Sequence, residues 1–299
     1  MLILSNKILS GSFPGVYDVN FQNLVSTWLV LLIAVILVTF LISEITRNYS
    51  QVDKLWSLVP IAYGWITVAV SPTPRVIIMA MLVTVWGLRL SYNFYRKGGY
   101  NIIPWKGEED YRWQVMRDNP VLKGRLRFGL FNLFFISFYQ NFLIFLFSTP
   151  LLLAALYPEK QLNLVDIIAA IFMLGFIITE GIADTQLIRF HRAKKSGKDM
   201  DGRYGESLRA GFFTQGLWKY SRHPNFACEQ GVWISFYFFG VAASGQWINY
   251  TIAGPVLLVL LFIGSSQLTE SISCRKYPEY AVYQRKVPKF IPLKINRSK

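Results

Sequence analysis

Seven apolar runs, each bordered by polar or turn-forming residues, leave this chain few ways to fold. They cover residues 24–43, 55–70, 76–90, 128–147, 164–183, 226–243 and 250–268, against the roughly 20 residues that a helix needs to cross hydrocarbon. Lys and Arg alternate with the runs: 28 of the 31 basic residues fall in the four intervening segments that share one side of the membrane if the amino terminus lies outside. Basic residues accumulate in cytoplasmic loops. The pattern predicts an all-α, polytopic transmembrane helical bundle of about seven spans, with the N-terminus outside and the C-terminus cytosolic. A hydrophobic share of 53% with only 16% charged residues agrees with that class.

No internal repeat, low-complexity tract or long linker interrupts the 299 residues, so one integral membrane domain is expected. The net charge of +14 gathers in segments 89–127, 184–222 and 275–299. It reads as a topology signal with some contact to anionic membrane lipid, and not as a nucleic-acid surface, which needs a basic face on a soluble domain. Two cysteines, Cys228 and Cys274, and two histidines, His191 and His223, form no ligand-spaced cluster, so neither a disulfide framework nor a metal is expected.

The chemistry concentrates in the string Trp218-Lys219-Tyr220-Ser221-Arg222-His223-Pro224-Asn225, followed by Glu229 and Trp233. Pro224 suits the first turn of a helix. Free backbone amides there, together with Lys219, Arg222 and His223, would make a seat for phosphate. Asn225 and Glu229 share a helical face. The plainer structural reading is a basic helix cap whose buried Glu229 pairs with Arg222.

Three other groups stand out. Arg89, Tyr92 and Arg96 precede the run Glu108-Glu109-Asp110-Tyr111-Arg112, which reads either as an ion-paired positioning loop or as a solvated charge run. Glu180 and Asp184 fall on one face of the fifth run, where carboxylates mark a site or pair with Arg. Glu270 then leads to Tyr277, Tyr280, Tyr283 and Arg285, which offer stacking faces and anion contacts. The competing reading is an interfacial aromatic and basic belt.

On these residues the chain resembles the steroid 5-alpha-reductase-like superfamily, in its domain of unknown function 1295 branch. The likeness covers about residues 50–299, and its cofactor-site motifs lie mostly within 180–292. The resemblance implies a membrane oxidoreductase that uses NADPH to reduce a carbon–carbon double bond of a lipophilic, lipid or sterol-like enone, with the endoplasmic reticulum as its setting in a eukaryote. It assigns cofactor contacts to Asp184, Asn225 and Glu229 and to Tyr277, Tyr280 and Arg285; Arg89, Arg96, Trp218, Tyr220, Ser221, Arg222 and His223 are grouped with them. The Glu and Tyr that orient the steroid ketone in those enzymes have no clear counterpart. Tyr92, Tyr111 and Glu229 are the catalytic candidates.

Hydride addition to the β carbon of an enone builds charge on the carbonyl oxygen, which a buried acid donor stabilises. No Ser or Cys nucleophile with a paired base is evident, and no Gly-x-Gly-x-x-Gly follows a strand. Two further readings stay open. One is an S-adenosylmethionine-dependent membrane methyltransferase of the isoprenylcysteine carboxyl or phospholipid type, which shares an Arg-His-Pro string and a downstream Glu. The other is a non-catalytic lipid-binding protein.

Overall fold

The computed structural model describes residues 19–292, apart from 102, 104–105, 198–201 and 203, and every regular element among them is helical. Five helical runs are long and apolar enough to cross a membrane: Val19–Thr46, Pro74–Arg96, Arg125–Leu156, Leu164–Ser196 and Tyr250–Lys276. The second expected span is a 12-residue helix, Val59–Val70. The sixth is the 21-residue helix Pro224–Ser244, whose apolar character is diluted by Asn225, Glu229 and Gln230. The chain divides into two compact units: Met1–Ile171 with Ser235–Pro255, and Phe172–Ile234 with Val256–Lys299.

The first unit begins with α1 (Val19–Thr46), which buries Leu24, Trp28, Leu32, Val35, Thr39 and Ser43. That spacing of three or four residues makes a single stripe along the helix. Val30, Ile33, Leu37 and Leu41 on the other faces are exposed and equally apolar. A helix that is hydrophobic all round belongs in hydrocarbon.

Next come α2 (Gln51–Leu55), α3 (Val59–Val70) and α4 (Pro74–Arg96). The α3–α4 pair packs closely because of Gly87, where an added Cβ would lie 2.5 Å from the Ser57 carbonyl oxygen. One turn further along α4, Ser91 shares a 2.8 Å hydrogen bond with Ser57. Small residues that admit close backbone approach, with hydroxyls bridging the helices, are how apolar spans associate without a hydrophobic driving force. The unit continues with α5 (Tyr111–Arg117), α6 (Arg125–Phe131), a π-helical stretch Asn132–Tyr139, α7 (Gln140–Ser148) and α8 (Pro150–Leu156).

At the start of α4, Thr73 caps the helix by accepting from the Val76 amide, and Pro74 takes the first turn. Arg75, 2% exposed, then donates to both carboxylate oxygens of Asp166 at 2.8 and 2.9 Å and to the carbonyls of Lys160 and Gln161. Asp166 also accepts the Asn163 amide at 2.9 Å. This pair ties the connection before α9 (Leu164–Ser196) to α4.

The second unit contains the greater part of α9, then α10 (Gly205–Ala210), a 3-10 turn Gly216–Lys219, the first half of α11 (Pro224–Ser244), most of α12 (Ala253–Lys276) and α13 (Tyr280–Lys286). Gly216 has φ +59°, and a Cβ there would meet the Gln186 side chain at 2.5 Å. Gln186 uses that proximity to accept the Leu217 amide at 3.0 Å.

Removing one partner of a buried ion pair leaves an uncompensated charge and costs about 3–5 kcal/mol. Asp166→Ala should therefore lower thermal stability in detergent by an amount of that order, while the double change Arg75→Met with Asp166→Leu should recover much of it. An Asp166→Ala protein that melts like the parent would show the pair to be dispensable.

Candidate functional site

The start of α11 is held by a knot of polar contacts. Arg222 donates from Nε to Glu270 Oε1 at 2.7 Å, from Nη2 to Glu270 Oε2 at 3.3 Å, and from Nη1 to the carbonyls of Gln284 and Val287. His223 Nε2 lies 2.9 Å from Glu270 Oε1, and Gln284 Nε2 donates to Glu270 Oε2 at 2.9 Å. A guanidinium has five N–H donors, and four are used here. The backbone is engaged too: the Arg222 amide donates to Pro288 O at 2.9 Å and the His223 amide to Lys289 O at 3.0 Å, while Ser221 Oγ donates to Lys289 O at 3.1 Å.

Two sequence-based expectations change on this point. The amides before Pro224 are not a free phosphate seat, because the segment after α13 occupies them. Nor does Arg222 pair with Glu229; its carboxylate partner is Glu270.

Beyond the knot lies a second polar group, on facing turns of α9 and α11. Glu180 and Asp184, one turn apart on α9, are buried, as is Glu229 on α11. Asn225 Nδ2 donates to Asp184 Oδ1 at 3.4 Å, and its Oδ1 is buried without a hydrogen-bond partner. Trp233 Nε1 donates to Glu229 Oε1 at 3.2 Å, and Trp218 Nε1 donates to Ala183 O at 3.2 Å. The i, i+4 spacing of Asn225, Glu229 and Trp233 aligns these side chains along one helical face.

The aromatic residues of α13 pack beside this group. Tyr280 and Tyr283 are buried, with ring centroids 5.6 Å apart, and both lie against Phe212. Tyr283 OH donates to Trp218 O, and burial pushes its hydroxyl up from the ordinary tyrosine range. Lys194 Nζ donates to Tyr277 OH at 3.0 Å and to Gly211 O at 2.5 Å. Burial raises the Tyr277 hydroxyl, but the hydrogen bond and charge of Lys194 outweigh it, and the net shift is downward. Tyr220 and Arg285 are exposed.

The remaining predicted residues belong to the first unit. Arg96 lies over the ring of Tyr92, 5.1 Å from its centroid, and donates to Asn93 Oδ1 at 3.3 Å. Tyr92 is 61% exposed and Tyr111 50%, so neither is the buried donor that the chemistry calls for. Arg89 lies two turns before Arg96 on α4, with buried Nε and Nη2 atoms.

The acidic run is not a solvated surface. Glu109 accepts the Tyr49 amide and pairs with Arg117 at 2.5 Å, and Asp110 pairs with Arg112 at 2.8 Å. Asn48 donates to Gly107 O, the Asp110 amide to Ser50 Oγ, and Trp113 Nε1 to Asp53 Oδ2. The loop is thus stitched to the connection between α1 and α3. Burial, with the nearby Asp110 charge, raises the Asp53 carboxyl above its ordinary range. Burial also acts to raise Asp110, but the charge and hydrogen bonds of Arg112 prevail and hold it below that range.

Sequence reasoning missed the Arg75–Asp166 pair, since each residue stands alone among apolar neighbours. It also missed the receiving carbonyls of residues 284 and 287–289. Their one sequence signal is Val287-Pro288, since a residue before proline is biased towards extended backbone; Val287 has φ −118° and ψ 129°.

The long apolar helices mark an integral membrane protein, and the family match places it in the steroid 5-alpha-reductase-like superfamily. Within it, the chain belongs to the family described as "Protein of unknown function (DUF1295)", whose model matches residues 39–287. It is similar to an uncharacterised protein of Schizosaccharomyces pombe, 39% identical over 263 residues, covering 84% of this chain and 74% of the relative. No solved structure matches.

Two outcomes follow from these geometries. Glu270→Ala leaves the Arg222 guanidinium without its carboxylate, so a loss of about 3–5 kcal/mol is expected, with faster hydrogen exchange at the Arg222 and His223 amides; unchanged exchange would contradict the knot. A carboxyl raised by folding contributes stability that is intact below the ordinary carboxylate range and is lost as pH rises through its folded value. Asp53→Asn should therefore raise the melting temperature near pH 8 and change it little near pH 4, and the reverse dependence would refute the burial argument.

Proposed function

We propose that the protein is a membrane oxidoreductase that uses NADPH to reduce a carbon–carbon double bond of a lipid or sterol-like enone. The observation that carries this reading is the buried Glu180, Asp184, Asn225 and Glu229 group with an unused oxygen on Asn225. An amide oxygen in that position accepts an N–H donor such as a carboxamide, and the carboxylates accept ribose hydroxyls. These residues fit the nicotinamide riboside portion of the cofactor. The start of α11 does not fit its phosphates, because the amides and the guanidinium there are already engaged.

The phosphates are therefore assigned to exposed cations such as Lys219 and Arg285. When bound, NADPH supplies a hydride for the β carbon of the enone. Asn225 and Glu229 orient it, Trp233 fixes the Glu229 carboxylate, and the Arg222 knot positions α11. Membership of the superfamily supports the reading. The proposed topology puts the C-terminus in the cytosol and, in a eukaryote, the protein in the endoplasmic reticulum.

One observation favours a second reading. A site whose helix-start amides and arginine are occupied suits a cofactor without phosphate, and S-adenosylmethionine is one. Titrating the purified protein in detergent with each cofactor separates the two. For the reductase, NADPH binds, and Asn225→Ala and Glu229→Gln each weaken it about tenfold or more with little change in melting temperature. Binding of S-adenosylmethionine with no response to NADPH would transfer the assignment to the methyltransferase.

A further inference from the structure

We infer that the first unit holds a binding site for a lipophilic carbonyl compound, formed by Trp28 and Tyr63. Trp28 on α1 and Tyr63 on α3 are both 0% exposed. Their rings stack with centroids 4.1 Å apart and planes 26° apart. Trp28 Nε1 and the Tyr63 hydroxyl are each buried without a hydrogen-bond partner. Burying an unsatisfied polar group is costly, and two from adjacent helices in one stack call for a reason.

The chemistry of the pair narrows what it recognises. Indole N–H is a donor only, and the phenol can donate as well. The two rings are in contact, so a group that satisfies both donors accepts two hydrogen bonds and donates none. A carbonyl oxygen does so. A water molecule would accept from both but leave its own hydrogens among aromatic rings, whereas buried waters usually make about three hydrogen bonds. A carboxylate would bring an unpaired charge into a helix stack, which is costlier still.

Access is provided by Phe145. Its ring stands edge-on to both Trp28 and Tyr63, with centroids at 5.9 and 6.0 Å. Unlike them it is partly exposed. A rotation of Phe145 uncovers the two donors from the apolar surroundings of the helices, and an apolar ketone can then enter. This site stands independently of the NADPH proposal, since it rests on residues of the first unit alone.

Benzophenone tests it directly, being a lipophilic ketone that cross-links to nearby C–H bonds under light. In detergent-solubilised full-length protein it should label the segments around Trp28, Tyr63 and Phe145, and the oxygen-free analogue diphenylmethane should compete poorly. Tyr63→Phe and Trp28→Phe should each reduce that labelling about tenfold, the worth of one buried hydrogen bond. Tyr63→Phe should leave the melting temperature unchanged, since it keeps the ring and removes only a donor that has no partner. Labelling unaffected by both variants, or equal competition by diphenylmethane, overturns the inference. So does a marked drop in melting temperature for Tyr63→Phe, because the hydroxyl would then have a structural partner.

Discussion

The second unit depends on the fact that a guanidinium removed from water must find acceptors within the protein. Arg222 meets four, from Glu270, Gln284 and Val287, and its neighbour His223 shares the same carboxylate. Because the acceptors come from α12, α13 and the segment after it, one side chain sets the position of three elements relative to the start of α11. The carboxylate and amide group a turn deeper inherits that placement. Arg222, in the most distinctive string of the chain, thus fixes the start of α11 against these elements.

The same rule operates at Arg75 in the first unit, with a different distribution of partners. There the guanidinium collects both oxygens of Asp166 and two consecutive carbonyls from the connection that precedes α9. Full satisfaction makes a buried pair tolerable, while partial satisfaction makes it costly. Trp28 and Tyr63 stand out against this background. What sets them apart is that two buried polar atoms without a partner belong to one aromatic stack, which marks a place for something outside the chain.

Much of the helical architecture was legible in the sequence because spans are specified locally. Long apolar runs became helices at close to the expected positions, and Pro224 does begin its helix. The second run was overestimated: Leu55 ends α2, and Val59 with Pro60 starts a separate 12-residue helix. Asn225, Glu229, Glu180 and Asp184 were legible as a group because polar residues within apolar runs are conspicuous. The amide partners at Pro288 and Lys289 were not, since they lie 66 residues further along the chain and donate nothing recognisable in composition. Trp28 and Tyr63 were invisible for the opposite reason: an aromatic residue in an apolar run looks like ordinary packing until its polar atom is found alone.

The clasp made by residues 284–289 also bears on how the protein matures. Those carbonyls complete the environment of an arginine made more than sixty residues earlier. Until they are made, the start of α11 lacks the acceptors that satisfy Arg222 in the folded unit. Closure of the second unit around Arg222 therefore has to await synthesis of residues 284–289.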